Sequence, residues 1–140
     1  FMRPMEFIGK NGVSIDSAWQ KKITAYRSMF LPDFPNFFLM LGPNSPIGNQ
    51  SVIEISEHQT AYVLQLIKQW QDGQLSTIQV KPEAVEQWRA VIKERMGHTV
   101  WVSGCHSWYL DADGDALSWP DTWKNWLKTM ETPQLKDFVS

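Results

Sequence analysis

The sequence predicts an α/β or α+β fold, and three observations predict it. Phe37 to Leu41 is a continuous apolar run bounded by turn formers, the pattern of a strand buried on both faces. Ser51 to Asp72 carries a helix start signal, apolar residues at helical spacing and a glycine just beyond its end. Pro82 to Met96 repeats that pattern, with proline in the first turn and Gly97 as the stop. Extended pieces and helices therefore alternate along 140 residues, long enough for one hydrophobic core without disulfides or metal.

Met5 to Ile8 and Val13 to Ile15 are extended pieces joined by Gly9-Lys10-Asn11-Gly12, which predicts a hairpin. Pro32-Asp33-Phe34-Pro35-Asn36 is rich in turn formers, and each proline pushes the residue before it out of the helical region. After the apolar run comes a loop loaded with Gly, Pro and Asn, from Gly42 to Asn49. Ser51 and Glu54 then form an S-x-x-E capping box, in which the serine oxygen takes the N3 amide. Val52, Ile55, Val63, Leu66, Ile67 and Trp70 supply the apolar face of that helix. A short strand is expected at Ile78 to Val80, and Ala84, Val85, Trp88, Val91 and Ile92 share a face of the next helix. Thr99 to Val102 and Ser107 to Leu110 have the composition of short strands or extended loop, and Asp111 to Asp115 that of a polar turn. A last helix is predicted from Asp121 to Met130, since Trp123, Trp126, Leu127 and Met130 fall on one side.

A formal charge of −2 carries neither a nucleic-acid nor a membrane-surface signature. The apolar run at Phe37 to Leu41 is the longest in the chain, far short of the roughly 20 residues a membrane helix needs. A cytoplasmic location is the expectation. Cys105 is the single cysteine, which excludes an intrachain disulfide and a zinc site built on paired cysteines. Eight tryptophans, most of them in the second half, are expected to fill the core.

Several chemical signatures fail on spacing. Neither G-x-G-x-x-G nor the phosphate P-loop occurs. His58, His98 and His106 lack metal-ligand spacing. Asp111-Ala112-Asp113-Gly114-Asp115 resembles a calcium loop, but its glycine comes two positions early and Thr122 stands where the bidentate Glu belongs. Cys105 and His106 are adjacent, so on a strand they point to opposite faces and form no nucleophile and base pair. No catalytic residue and no metal site is therefore expected in this chain. What survives is the succession of strand, Gly-Pro-Asn loop and capped helix. In open α/β sheets ligands bind outside the carboxyl ends of strands, where a helix N-terminus offers amides and partial positive charge to a phosphate or polarised carbonyl. The same residues also read as plain turn geometry and a plain cap, and from physics alone both readings stand.

PDFPNFFLMLGPNSPIGNQSVIEISEHQTAYV, Pro32 to Val63, resembles the segment that follows the NADPH domain in class B flavoprotein monooxygenases, the Baeyer-Villiger and related flavin-containing enzymes. TVWVSGCHSWYLDADGDALSWPDTWKNW, Thr99 to Trp126, resembles their C-terminal region, where an S-W-Y/F block is typical. The resemblance implies a C-terminal region only: a turn-rich lead-in at 1–36, a partial FAD-domain strand–helix unit at 37–73, and a C-terminal cap with the SWY loop at 74–140. It implies a parent enzyme that uses FAD and NADPH, through a C4a-peroxyflavin, to insert one oxygen atom from O2 into a ketone or to oxidise a heteroatom. Carried over, Gly42, Pro43 and Asn44 shape the approach to the flavin. Backbone amides near Gln50, Ser51 and Val52 face the flavin O2, and Trp108 lies on a loop that folds over NADP.

The two glycine fingerprints, the Baeyer-Villiger signature and the arginine expected beside the flavin are absent from these residues and are expected upstream, as is consistent with a chain that opens on Phe1. The acidic turn at Asp111 to Asp115 departs from the Gly-Ala-Asn continuation of some members. The isolated chain is expected to be inactive and to self-associate. Its implied partners are the rest of the parent enzyme, a small organic substrate and O2, without nucleic acid or membrane. The alternative reading is a non-catalytic binding or interaction module with a tryptophan-rich surface.

Overall fold

A computed structural model of the chain describes residues 5–48, 50–103, 110–111 and 113–140. Its helices are α1 (Ile15–Ala18), α2 (Val52–Gln71), α3 (Pro82–Met96) and α4 (Trp123–Met130). Short 3-10 turns lie at Lys10–Gly12, Val100–Ser103 and Leu135–Asp137. The extended segments between them pair through isolated bridges, so among the described residues the fold is helical with few strand contacts. No helix among those residues is long and apolar enough to cross a membrane.

The hairpin at the start is present in reduced form. Ile8 and Ser14 make one antiparallel bridge, the Gly9 amide donates to Val13 O at 2.7 Å, and the Ile15 amide donates to Phe7 O at 3.0 Å. The chain then turns into α1, where the Ser14 hydroxyl accepts from the Ser17 amide at 3.1 Å.

The predicted strand at Phe37 to Leu41 is an extended segment without a ladder. Its amides are taken singly: Phe37 by Phe34 O in a turn, Leu39 by Met29 O at 2.9 Å, and Leu41 by the side chain of Gln59 at 2.9 Å. Leu41 leaves the extended region altogether, with φ of 56°. The apolar pattern was set by packing and not by sheet pairing. Phe38 packs edge-on against Phe30 in the main core, while Leu39 is buried in a smaller second core with Ile15, Ala25, Leu31 and Phe34. The segment is thus the seam between two apolar clusters.

α2 runs almost as predicted, and its end forms the glycine-terminated Schellman arrangement: Gly73 at φ of 74°, its amide to Trp70 O, and the Gln74 amide to Gln69 O. Its buried face is Ile55, Gln59, Tyr62, Val63 and Leu66, whereas Val52 and Trp70 are exposed. Ser51 holds the N-cap position but makes no side-chain cap bond, so the predicted capping box is not formed. α3 buries Ala84, Val85, Trp88, Ile92 and Met96 with proline in its first turn. Ile78 to Val80 pairs with the C-terminal tail: Val80 bridges Phe138, the Lys81 amide donates to Asp137 O, and the Val139 amide donates to Gln79 O. That pairing drives Phe138 between Tyr26 and Phe30, with ring centroids 6.0 and 5.3 Å away.

Thr99 to Val102 is not a strand. Local bonds from the Thr99 hydroxyl to Met96 O and the Ser103 hydroxyl to Val100 O close tight turns instead, leaving Val100 and Val102 exposed. Of Ser107 to Leu110 only Leu110 lies within the described residues, and it bridges Ala116. α4 starts two residues later than predicted, with the Thr122 hydroxyl accepting from the Asn125 amide, and packs against α2. Trp126 of α4 is fully buried, stacked on Trp123 at 4.8 Å, with His58 of α2 edge-on to both. Trp88 and Trp119 stack at 5.8 Å in the main core. The second half therefore spends these tryptophans on the interior and does not gather them into a surface.

Candidate functional site

The loop from Leu41 to Ser51 is built from residues whose side chains are spent on holding backbone in place. Gly42 is buried where a Cβ would lie 2.2 Å from Ser28 O, so the two chain segments meet only because position 42 has no side chain. Asn44 takes a left-handed conformation, φ of 65°, which asparagine tolerates better than most residues. It is 5% exposed. Its Nδ2 donates to Ala116 O at 2.6 Å, and its amide donates to Leu117 O at 2.8 Å. Ser45 O receives the Trp119 amide and the Ser118 hydroxyl, both at 3.2 Å. The stretch from Ala116 to Trp119 thus forms a second wall of the loop, and the sequence carried no separate sign of it.

α2 forms the first wall. Gln59 is fully buried, its Oε1 accepts from the Leu41 amide at 2.9 Å, and its Nε2 donates to Ser45 Oγ at 3.4 Å. One signal for it existed: Gln59 is the lone polar residue on the stripe Ile55, Gln59, Tyr62, Val63 and Leu66. Beyond Ser45 the chain passes a parallel bridge between Ile47 and Gln50 and enters α2. Ser51 and Val52 are exposed there, and the twelve residues from Gly42 to Ile53 include no charged side chain and no histidine. Beside the loop a cleft of about 490 Å³ is lined by Ile15, Trp19, Ile23, Leu41, Gly42, Pro43, Ile47 and Leu117, with Met5 and Asp16 at its edge.

The predicted site residues divide in two. Gly42 and Asn44 are interior and shape the loop, while Pro43 lines the cleft. Gln50, Ser51 and Val52 lie at the open N-terminus of α2. Residues Ser45 to Asn49 separate the two groups along the chain. Trp108 lies outside the described residues, as do Cys105 and His106. A 20-residue helix, uncapped by its serine and preceded by uncharged chain, begins at Val52, where a helix terminus offers amides and the positive end of its dipole. The loop from Gly42 to Ile53 has no charged side chain or histidine in its sequence, and Glu54 follows in the first turn of α2. Among the described residues no group of three His, Cys, Asp or Glu could hold a metal ion.

The acidic turn is a lysine site. Asp111 Oδ1 accepts from the Asp113 and Asp115 amides at 3.0 and 2.9 Å, and Lys22 Nζ lies 2.9 Å from Asp111 and 3.5 Å from Asp113 and also pairs with Asp115. Burial alone would lower the Lys22 pKa, but its bonds to Asp115 and Asp111 outweigh that and raise it. Burial would likewise raise Asp111, but Lys22 and the Asp115 and Asp113 amides hold it below the usual carboxylate range.

No family model matches the chain. It is 42% identical over 120 residues to an uncharacterized monooxygenase of Mycobacterium tuberculosis, covering 86% of this chain and 24% of that protein. It is 36% identical over 118 residues to a Baeyer-Villiger monooxygenase of Streptomyces coelicolor, covering 82% and 23%. Among solved structures, a closed cyclohexanone monooxygenase superposes with a TM-score of 0.77 at 27% identity, covering 90% of this chain and 24% of that one. An oxidized steroid monooxygenase bound to NADP shares the fold, with a TM-score of 0.78 at 23% identity over 89% of this chain. The chain spans about a quarter of the length of the relatives it matches. The helices, the seam segment and the glycine-proline loop are thus a partial unit of a larger fold, and over that part the chain is similar to monooxygenases that include a Baeyer-Villiger enzyme.

Proposed function

We propose that this segment forms one wall of the flavin site in an FAD- and NADPH-dependent monooxygenase, and that the chain alone is inactive. The whole protein would insert one oxygen atom from O2 into a ketone or oxidise a heteroatom in a small organic substrate. The observation that carries the reading is the open N-terminus of α2 at Gln50, Ser51 and Val52, set on an uncharged loop fixed from both sides. Relatives named as FAD-binding monooxygenases and a matched structure bound to FAD and NADP support the cofactor assignment. When bound, reduced FAD supplies activation of O2 at its C4a position. The helix terminus stabilises negative charge on the pyrimidine edge, the Gly42-Pro43 backbone shapes the approach, and Trp108 holds NADP through its indole N–H. A cytoplasmic location follows from the reducing cofactor. Self-association of the isolated chain follows from the exposed apolar stripe of Val52, Ile53 and Leu64 on α2.

Ser51→Asp tests the helix terminus in the full-length flavoprotein. Aspartate is a good N-cap, so the fold is kept or strengthened, but its carboxylate sits where the flavin's negative edge is proposed. FAD affinity measured by reconstitution of the apoprotein is expected to fall about tenfold or more, the weight of an unfavourable charge contact. Unchanged affinity would remove α2 from the flavin site. Trp108→Ala is expected to weaken NADP retention and raise peroxide release; unchanged coupling of NADPH oxidation to product would remove Trp108 from the reading.

A further inference from the structure

We infer that Gln59 is the positioning residue of the flavin-facing loop, an inference that rests on the reading of α2 above. Its carboxamide spans the loop from inside. Oε1 takes the Leu41 amide, where φ of 56° turns the chain out of the seam segment, and Nε2 reaches Ser45 Oγ at the far side of Gly42-Pro43-Asn44. A leucine in the left-handed region is unfavourable by about 1–2 kcal/mol, so the turn at Leu41 needs a partner that holds it. Full burial of Gln59 makes those two bonds the reason for a polar side chain on an otherwise apolar stripe.

The placement gives the clamp a direction. Gln59 sits about 10 Å up α2 from Val52, at 1.5 Å per residue. The loop it holds runs directly into the N-terminus of that same helix. Helix, side chain and loop therefore form a closed circuit, with the opposite side of Ser45 fixed by Ser118 and Trp119. Loosening Gln59 lets the Leu41–Ser45 turn shift relative to α2, and the amides at Gln50 to Val52 shift with it. Gln59 touches no ligand in this account; it acts through the loop.

The test uses Gln59→Leu and Gln59→Glu in the full-length flavoprotein, read by FAD affinity of the apoprotein, the flavin absorption spectrum and the thermal midpoint without FAD. Gln59→Leu fills the space without either hydrogen bond, and its FAD dissociation constant is expected to rise about tenfold with a shifted flavin spectrum, in line with a lost neutral hydrogen bond. In Gln59→Glu the protonated carboxyl can accept from Leu41 and donate to Ser45 Oγ, whereas the carboxylate can only accept. Affinity is therefore expected to approach that of the unsubstituted protein near about pH 6 and to fall toward about pH 9, the range in which a buried carboxyl ionises. Should Gln59→Leu fail to fold, the pH series of Gln59→Glu carries the test alone. A folded Gln59→Leu with unchanged affinity and spectrum, or a Gln59→Glu with no pH dependence, overturns the inference. If Ser51→Asp weakens FAD and the Gln59 variants do not, only the clamp falls. If the unsubstituted full-length protein takes no FAD, both readings fall together.

Discussion

Replacing Lys22 with Met removes one charge from the acidic turn and keeps most of the aliphatic stem. What remains is three carboxylates converging on an apolar side chain, with Asp111 still wrapped around the Asp113 and Asp115 amides. Lys22 and Asp111 are each 14% exposed and Asp115 25%. An exposed pair contributes roughly 0–1 kcal/mol, whereas breaking a buried one costs about 3–5. This partly buried network falls between those limits, at about 2 kcal/mol, or roughly 6–10 °C in thermal midpoint for a chain of this size. Circular dichroism of the isolated chain in a urea or thermal series measures it. The pH profile adds a second check. Asp111, with its folded pKa lowered, contributes stability above its unfolded pKa that is lost as pH falls through the folded value. Lys22, with its folded pKa raised, contributes stability below its unfolded pKa that is lost as pH rises through the folded one. Glu86, Arg89 and Lys93 line a cavity together with Lys22, Asp111 and Asp115, so both profiles are compared with Lys22→Met in the same buffer series. A destabilisation under about 0.5 kcal/mol, or an acid limb identical in the variant, would refute the claim that the lysine holds this turn.

Gly42→Ala places a Cβ 2.2 Å from Ser28 O and 3.1 Å from the Leu39 Cβ; overpacking of that kind costs about 1–3 kcal/mol in a denaturant titration. Trp126→Ala removes a fully buried indole stacked on Trp123, with an expected loss of about 3–5 kcal/mol and of the near-ultraviolet dichroism of the stacked pair. Asn44→Gly keeps the positive φ but loses the Nδ2 bond to Ala116 O, whereas Asn44→Ala loses the bond and adds left-handed strain; the alanine variant is expected to be less stable than the glycine one by about 1 kcal/mol.

Helices were legible in the sequence because their determinants are local. Pro82 and Gly97 bracket α3, Gly73 terminates α2, and the tryptophan spacing places α4 within two residues of its observed bounds. The seam segment was misread for a physical reason. Phe37 to Leu41 is apolar on both faces because it divides two cores, and that burial pattern does not reveal whether a neighbouring strand is present to receive its amides. Ser51 shows the same limit at smaller scale: its identity and its spacing to Glu54 match a capping box, yet its oxygen caps no amide. The Lys22 network joins residues about 90 positions apart, and nothing near Lys22 distinguishes it from an ordinary surface lysine.

The Gly-Pro-Asn loop was legible as a turn ahead of a helix, but what its side chains do was not. Asn44 carries the polar side chain that a ligand-binding motif draws attention to, and that side chain is buried against Ala116 O. Gly42 has no side chain to offer, and its value lies in the approach of Ser28 O. The loop leads into the N-terminus of α2, whose backbone amides almost any residue could supply. A Gly-Pro-Asn sequence at this position therefore specifies a backbone path. It follows that substitutions in the loop should act on ligand affinity through geometry, so that residues holding the path, Gln59 and Asn44, matter as much as those nearest the ligand.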